Sequence, residues 1–364
     1  MARTAWIAAA VVLVVGAAAV VAVRLIVGGT SWHEPASVEA LRRNIEAVVR
    51  DGLADVPGAA VAVLHDGRVV ATVHGGTARQ GQPVGPGTVF QMASLSKPVA
   101  AYTVLRAGLD LDRPVESYTG TWRFPPSAFD SSEVTLRRLL SHTAGTDVPG
   151  YLGYPAAGPL PTVRDSLDGR GSPVPGASTS RVGLVATPGG GYGYSGGGFS
   201  VAQLAVETGT GQPFADVAAT TVTRPLGMGA TGFGCTTAPG APQEALGHDA
   251  GGNPILALRY PEAAAGGLCS TVDDYARFVA ALMTDDPVAT AMRTPAPTTD
   301  GHYGLGLELG TLADGTAWFG HLGVNTGWHN LMRAYPDKGW AFVALTDGDG
   351  GAALTDAVEE LFTG

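Results

Sequence analysis

Lysine is almost missing from this chain. Of the 22 lysines and arginines among 364 residues, only Lys97 and Lys338 are lysines. Charge is thin throughout, at 15% of residues, and the balance is -10. No basic stripe forms, which excludes a nucleic-acid partner. Metal-ligand spacing is absent as well. There is no H-E-x-x-H, and His248-Asp249 alone is too sparse to hold zinc. Neither a metal nor a cofactor is implied. Cysteine is reduced to Cys235 and Cys269. In an exported protein an even count allows a disulfide, and two buried free thiols are the other reading.

Long apolar runs are also lacking, with one exception. Ala5 to Val23 is uninterrupted and lies between Arg3 and Arg24. At about 19 residues it nears the length that crosses a bilayer as a helix. Arg3 and the free amine favour a cytoplasmic N-terminus over residues 1–4, with the body outside. Ala17-Ala18-Ala19 has the small-residue pattern of a cleaved signal peptide, which makes a secreted protein the alternative. The anchor is preferred because the apolar run continues past that point, and no cysteine follows it to carry a lipid. Residues 5–27 are thus expected as a transmembrane signal-anchor, 28–36 as a tether and 37–364 as the body. The body is expected to be a monomer.

What is abundant is turn-forming. The chain has 53 glycines and 25 prolines, which points to many turns and long loops rather than a helical bundle. With 45% hydrophobic residues it can fill one large domain, or a domain with an inserted lobe. Ser37 to Gly52 has a helical period, with Val38, Leu41, Ile45, Val48 and Val49 on one face. Gly58 to Leu64, the turn His65-Asp66-Gly67 and Arg68 to His74 read as strand, turn, strand. Helices are expected over Ser94 to Arg106, Val134 to Leu140, Phe199 to Gly209, Gly211 to Thr221 and Thr271 to Met283. Asp147 to Gly191 has no period and reads as a wall or cover of a site. Strands follow at Tyr303 to Leu309, Thr316 to Phe319, Trp328 to Tyr335 and Trp340 to Thr346, then a helix over Ala352 to Phe362. This order suggests an α+β domain with a helical insertion at roughly 98–265.

The scarcity of lysine gives Lys97 its interest. Arginine keeps its proton in a protein, whereas lysine can lose it when its surroundings lower its pKa. Ser94 stands three residues earlier, on the same helical face. A hydroxyl beside a proton-accepting amine is an activated nucleophile. Pro98 fits because the first helical turn has no intrahelical acceptors for its N–H groups. The plainer reading makes Ser94 a helix cap and Lys97 a solvated charge. Two further stretches carry chemistry. Tyr192-Gly193-Tyr194-Ser195-Gly196-Gly197-Gly198-Phe199 puts a phenol at the mouth of a helix. Phe319-Gly320-His321-Leu322-Gly323-Val324-Asn325-Thr326-Gly327 puts an imidazole beside a glycine where another backbone can approach. Each has an ordinary alternative, a loop-packing tyrosine and a satisfied core histidine.

Taken together and in order, these stretches resemble the serine β-lactamase and penicillin-binding-protein superfamily, in its class C-like serine hydrolase branch. The pattern is S-x-x-K, then Tyr-x-Asn, then Lys-Thr-Gly or His-x-Gly, over roughly Pro57 to Gly364. Leu136 to Gly145, Pro225 to Met228, Ala264 to Leu268 and Tyr303 to Leu307 support it. The resemblance implies a central antiparallel sheet flanked by helices, a mostly helical second lobe, and a site between them. It implies Ser94 as the acylated nucleophile and Lys97 as holder or acceptor of its proton. Tyr194 would be the general base, as phenolate or hydrogen-bonded phenol, and would pass the proton on. Backbone N–H groups of Ser94 and Val324 would form the oxyanion hole, with His321, Gly323 and Gly196 lining the substrate site.

Two departures set the expected substrate. Gly196 stands where relatives have an asparagine that could orient Lys97 and bind a substrate amide. His321 stands where penicillin-binding proteins have a lysine suited to a substrate carboxylate. Both favour a small-molecule or peptide ester or amide, cleaved by an esterase or a D-amino-acid peptidase, over a β-lactam. A penicillin-binding sensor or transpeptidase-like protein, acylated with little turnover, is the alternative, since fold does not fix function. Gly193 to Gly197 also fits G-x-S-x-G with Ser195 as an α/β-hydrolase nucleophile. That elbow needs a buried strand just before the serine, and Thr187-Pro188-Gly189-Gly190-Gly191 cannot be one.

Overall fold

The computed structural model describes residues 29–79, 81–170, 181–235 and 244–364. The expected signal-anchor, residues 5–27, lies outside the described residues, and among these no helix is long and apolar enough to cross a membrane. Residues 31–33, read as part of a tether, lie along the chain end: Ser31 N donates to Gly364 O and His33 N to Phe362 O.

Seven antiparallel strands make the main sheet. They are β1 Gly58–His65, β2 Arg68–Arg79, β3 Gln82–Pro83, β9 Glu308–Thr311, β10 Ala317–Asn325, β11 Trp328–Tyr335 and β12 Trp340–Thr346, in the order β3-β2-β1-β12-β11-β10-β9. The intervening β4 Phe90–Gln91, β6 Gly232–Phe233 and β8 Leu268–Ser270 form a small second sheet, and β5 Tyr154–Pro155 pairs with β7 Leu258–Arg259. Strand side chains alternate between faces. In β1, Ala60, Ala62 and Leu64 enter one core while Ala59, Val61 and Val63 enter the other. In β12, Ala341, Val343 and Leu345 oppose Trp340, Phe342 and Ala344 in the same way. Cover on both faces is why these strands read as unbroken apolar runs.

One face is covered by α1 Val38–Gly52 and α10 Ala352–Glu360. Ser37 caps α1 through the N–H of Ala40, and Leu41, Ile45 and Val49 are its buried stripe. The other face carries the larger lobe: α2 Ser96–Arg106, α3 Leu136–Leu140, α4 Val163–Leu167, α5 Gly196–Thr210, α6 Phe214–Ala218, α7 Ala263–Gly266, α8 Val272–Leu282 and α9 Pro287–Arg293. Cys235 and Cys269 form a disulfide with 4.9 Å between their Cα atoms, which decides between the two readings of the cysteines.

The structure corrects one strand. Tyr303 to Leu307 is not part of the sheet, and β9 begins at Glu308. Tyr303, Leu305 and Leu307 are buried, so the alternation read from the sequence is real. It arises from a folded loop. Gly306 has φ +72, and its N–H goes to Leu140 O on the helical lobe.

Candidate active site

Ser94 lies in a 3-10 turn, Ala93–Leu95, that leads directly into α2. The turn is pinned from several sides. Ser96 Oγ donates to Ala93 O (2.6 Å) and accepts from Leu268 N (2.9 Å). Tyr275 OH donates to Leu95 O (2.8 Å), and Met92 N to Leu268 O (2.8 Å). Ala93 sits at φ +49, a left-handed conformation that a non-glycine residue holds only where its surroundings fix it. Ser94 is partly exposed while Ala93 and Leu95 are buried. The Ser94 hydroxyl is therefore reachable and its platform is not.

Lys97 is buried at 2% exposure. Its Nζ hydrogen-bonds Ser94 Oγ at 2.9 Å and donates to Ala265 O at 2.7 Å. That carbonyl is free because α7 has only four residues, and the last carbonyls of a helix lack intrahelical partners. Burial lowers the Lys97 pKa from 10.5 to about 7. Desolvation disfavours the charged amine, so near neutral pH a large share of it is a neutral base. The solvated-charge reading of Lys97 falls. Pro98 sits in the first turn of α2, where its missing N–H costs nothing.

Tyr194 closes the third side, its O–H donating to Ser94 Oγ at 3.0 Å. Lys97 Nζ lies 5.0 Å from the centre of its ring. Desolvation pushes the Tyr194 hydroxyl well above its ordinary value. From a starting value of 10.0, a free phenolate at pH 7 costs more than about 4 kcal/mol. Of the two forms the sequence allowed, the hydrogen-bonded phenol is the one the site stabilises, and Lys97 is the cheaper base.

His321 faces this group with its ring centre 6.4 Å from that of Tyr194. Both its nitrogens are engaged. Nδ1 donates to Leu322 O at 2.7 Å, and Nε2 accepts from Tyr303 OH at 3.2 Å. Burial first, then Lys97, hold its pKa down to about 3, so it is a neutral wall and offers no fixed charge to a carboxylate. Gly323 is where β10 meets the nucleophile turn. A methyl group there would lie 2.5 Å from Met92 O and 2.9 Å from Leu95 Cγ. This contact sets Gly323 against the turn of Ser94, and the next residue, Val324, pairs with His329 of β11. Gly196 is elsewhere engaged: its N–H goes to Pro149 O at 3.3 Å, and a methyl group on it would lie 3.1 Å from Pro149 O and 3.5 Å from the Tyr151 ring. Ser195 is 1% exposed, donates to Asp147 O and accepts from Gly198 N at 2.9 Å. It caps α5 and is no nucleophile, so the α/β-hydrolase reading falls.

Sequence reasoning missed His142 and the acceptor at Ala265. His142 holds φ +57, accepts from Ser195 N at 3.1 Å through Nδ1, and packs tilted against the Tyr194 ring with 4.3 Å between ring centres. Burial lowers its pKa well below the ordinary value, which keeps it a neutral support for the tyrosine. Both residues lie in stretches that supported the resemblance, yet a backbone carbonyl has no side-chain signature.

A serine that forms acyl intermediates needs a base that is neutral at working pH, and Lys97, its pKa lowered, stands in the first turn of the helix that follows the Ser94 turn. Fold and site together are those of the β-lactamase type. The chain belongs to the beta-lactamase family, whose model, described as Beta-lactamase, matches residues 45–361. It is similar to esterase EstB of Burkholderia gladioli, 35% identical over 165 residues that cover 42% of this chain and 40% of that one. The chain thus spans about two fifths of that curated relative. A crystal structure of SurE with D-Leu is similar at 27% identity and TM-score 0.69, covering 89% of this chain and 74% of that one. The D-amino acid amidase of Ochrobactrum anthropi, solved with L-phenylalanine, shares the fold at 22% identity and TM-score 0.70, over 88% and 98% of the two chains.

Proposed function

We propose that this protein hydrolyses esters or amides through an acyl-Ser94 intermediate, from a body held outside the cytoplasmic membrane by residues 5–27. The observation that carries the chemistry is Ser94 Oγ within hydrogen-bond reach of both Lys97 Nζ and Tyr194 OH. Neutral Lys97 takes the Ser94 proton as Oγ attacks the scissile carbonyl. The oxyanion is met by the backbone N–H groups of Ser94 and Val324. Tyr194 then gives its proton to the leaving group and regains one from the Lys97 ammonium. Water cleaves the acyl-serine by the same path in reverse.

Ester or D-amino-acid amide substrates suit the site better than β-lactams. His321 is neutral, so no fixed cation waits for a lactam carboxylate. The likeness to an esterase and to a structure solved with D-Leu supports the same choice. Placement outside the cytoplasm is supported by the apolar run Ala5 to Val23 and by the disulfide, which persists in oxidising compartments. The proposal includes a monomeric body, and a larger species by light scattering would remove that clause.

The test is a panel of a short-chain ester, a D-amino-acid amide, a D-Ala-D-Ala peptide and a cephalosporin, with Ser94→Ala as control. Turnover of the ester or amide, lost in Ser94→Ala, is expected. Fast cephalosporin turnover with inert esters would overturn the substrate choice. A long-lived adduct on Ser94 without product favours the sensor.

A further inference from the structure

Side chains on one face of β10 enter the core that β10 shares with the helical lobe and the Ser94 turn. Alternation puts Phe319, His321, Gly323 and Asn325 on that face, while Trp318 and Leu322 pack into the opposite core with α1 and α10. His321 has both nitrogens occupied, and Gly323 has no side chain. Asn325 is different. Its Nδ2 is buried and has no hydrogen-bond partner.

The neighbours of this amide are the residues that flank the reacting pair. A methyl group on Gly266 would lie 3.7 Å from Asn325 Nδ2 and 4.0 Å from Ala93 O. Gly266 follows Ala265, which holds Lys97, and Ala93 precedes Ser94. Ala93 O, which accepts from Ser96 Oγ at 2.6 Å, does not hydrogen-bond the amide. A buried N–H group without a partner is kept at a cost to the fold, and such a group beside a reactive centre marks a place for a ligand atom. The opposite wall lacks an equivalent. Gly196 carries no amide side chain where related sequences place one, and its backbone N–H is taken by Pro149.

We propose that Asn325 Nδ2 is a substrate-binding donor that takes a carbonyl oxygen on the acyl side of the substrate. The substrate class this selects is an N-acylated amino-acid ester or amide, whose second carbonyl lies a few bonds from the scissile one. The inference rests on acylation at Ser94. It assigns to β10 the amide contact that Gly196 has given up.

Two esters with the same leaving group test it, N-acetyl-alanine p-nitrophenyl ester and p-nitrophenyl propionate. They differ in the second carbonyl. Ser94 acylation is followed by intact mass and by release of nitrophenol. Asn325→Ala is expected to lower kcat/KM about 3- to 10-fold on the N-acetylated ester and less than about twofold on the propionate. Asn325→Asp keeps the size and removes the donor. It is expected to show the same selective loss, and to raise the rate on the ester of unacylated alanine, whose ammonium a carboxylate attracts. Equal losses on both esters, or none on either, would overturn the assignment while leaving acyl-Ser94 intact. No mass shift on Ser94 with any ester would overturn both.

Discussion

Lys97 reaches its lowered pKa through burial alone, and that has two measurable sides. Because the neutral amine is the working form, kcat/KM is expected to rise as pH increases through about 7. Lys97→Arg cannot deprotonate, so it should lose about 100- to 10,000-fold and show no such limb. A pH–rate profile checks both statements. The second side is stability. The unfolded chain holds this proton up to 10.5 and the folded one only to about 7. Below 7 both states are protonated and the burial penalty is present in full. Between 7 and 10.5 the unfolded state binds more protons, so stability rises with pH. Lys97→Met is therefore expected to raise Tm while abolishing turnover, with a larger gain at about pH 6 than at about pH 9. A fall in Tm at the lower pH would contradict the reading. Tyr194 works in the opposite sense: desolvation keeps its resting hydroxyl protonated, ready to serve the leaving group. Tyr194→Phe should cost about 100-fold in kcat with little change in KM, measured on an ester already shown to acylate Ser94.

The decisive contact between elements is the crossing of β10 over the Ser94 turn. Gly323→Ala puts a methyl group against Met92 O and Leu95, and neither can yield without moving the nucleophile. Activity is expected to fall at least about 100-fold, since misplacing the reacting atoms by about 1 Å costs that much. Gly229→Ala, which would meet nothing within 4 Å, should leave it unchanged. Circular dichroism of both variants separates displacement from unfolding. At this scale the sequence was legible where periodicity reflects pairing. The strands Gly58–His65, Trp328–Tyr335 and Trp340–Thr346 and the helix Val38–Gly52 follow their patterns closely. It misled at Tyr303 to Leu307, because alternating burial can come from a glycine-bent loop as well as from a sheet. Ser94, Lys97, Tyr194 and His321 were legible because their types are rare or their spacing is special. Ala265 was not, since its contribution is a main-chain oxygen, and neither was Asn325, whose value lies in the partner it lacks.

Across the whole molecule, the two faces of the main sheet divide the labour. The α1 and α10 side is a packed support, while the other side carries every group that touches Ser94. The disulfide ties Cys235 to β8, and β8 in turn accepts from Met92 N and gives the Leu268 N–H to Ser96. Cys235→Ser with Cys269→Ser should cost about 2–4 kcal/mol, read as a shift in the urea midpoint that a reductant reproduces in the native chain. No shift with reductant would show that the bridge does not contribute. The lysine itself is tethered to a main-chain carbonyl, and a carbonyl is present whatever residue stands at 265. No single codon change can delete that anchor. The hold on the Lys97 amine is thus indifferent to the identity of the side chain at 265, and only a change of backbone path there can release it.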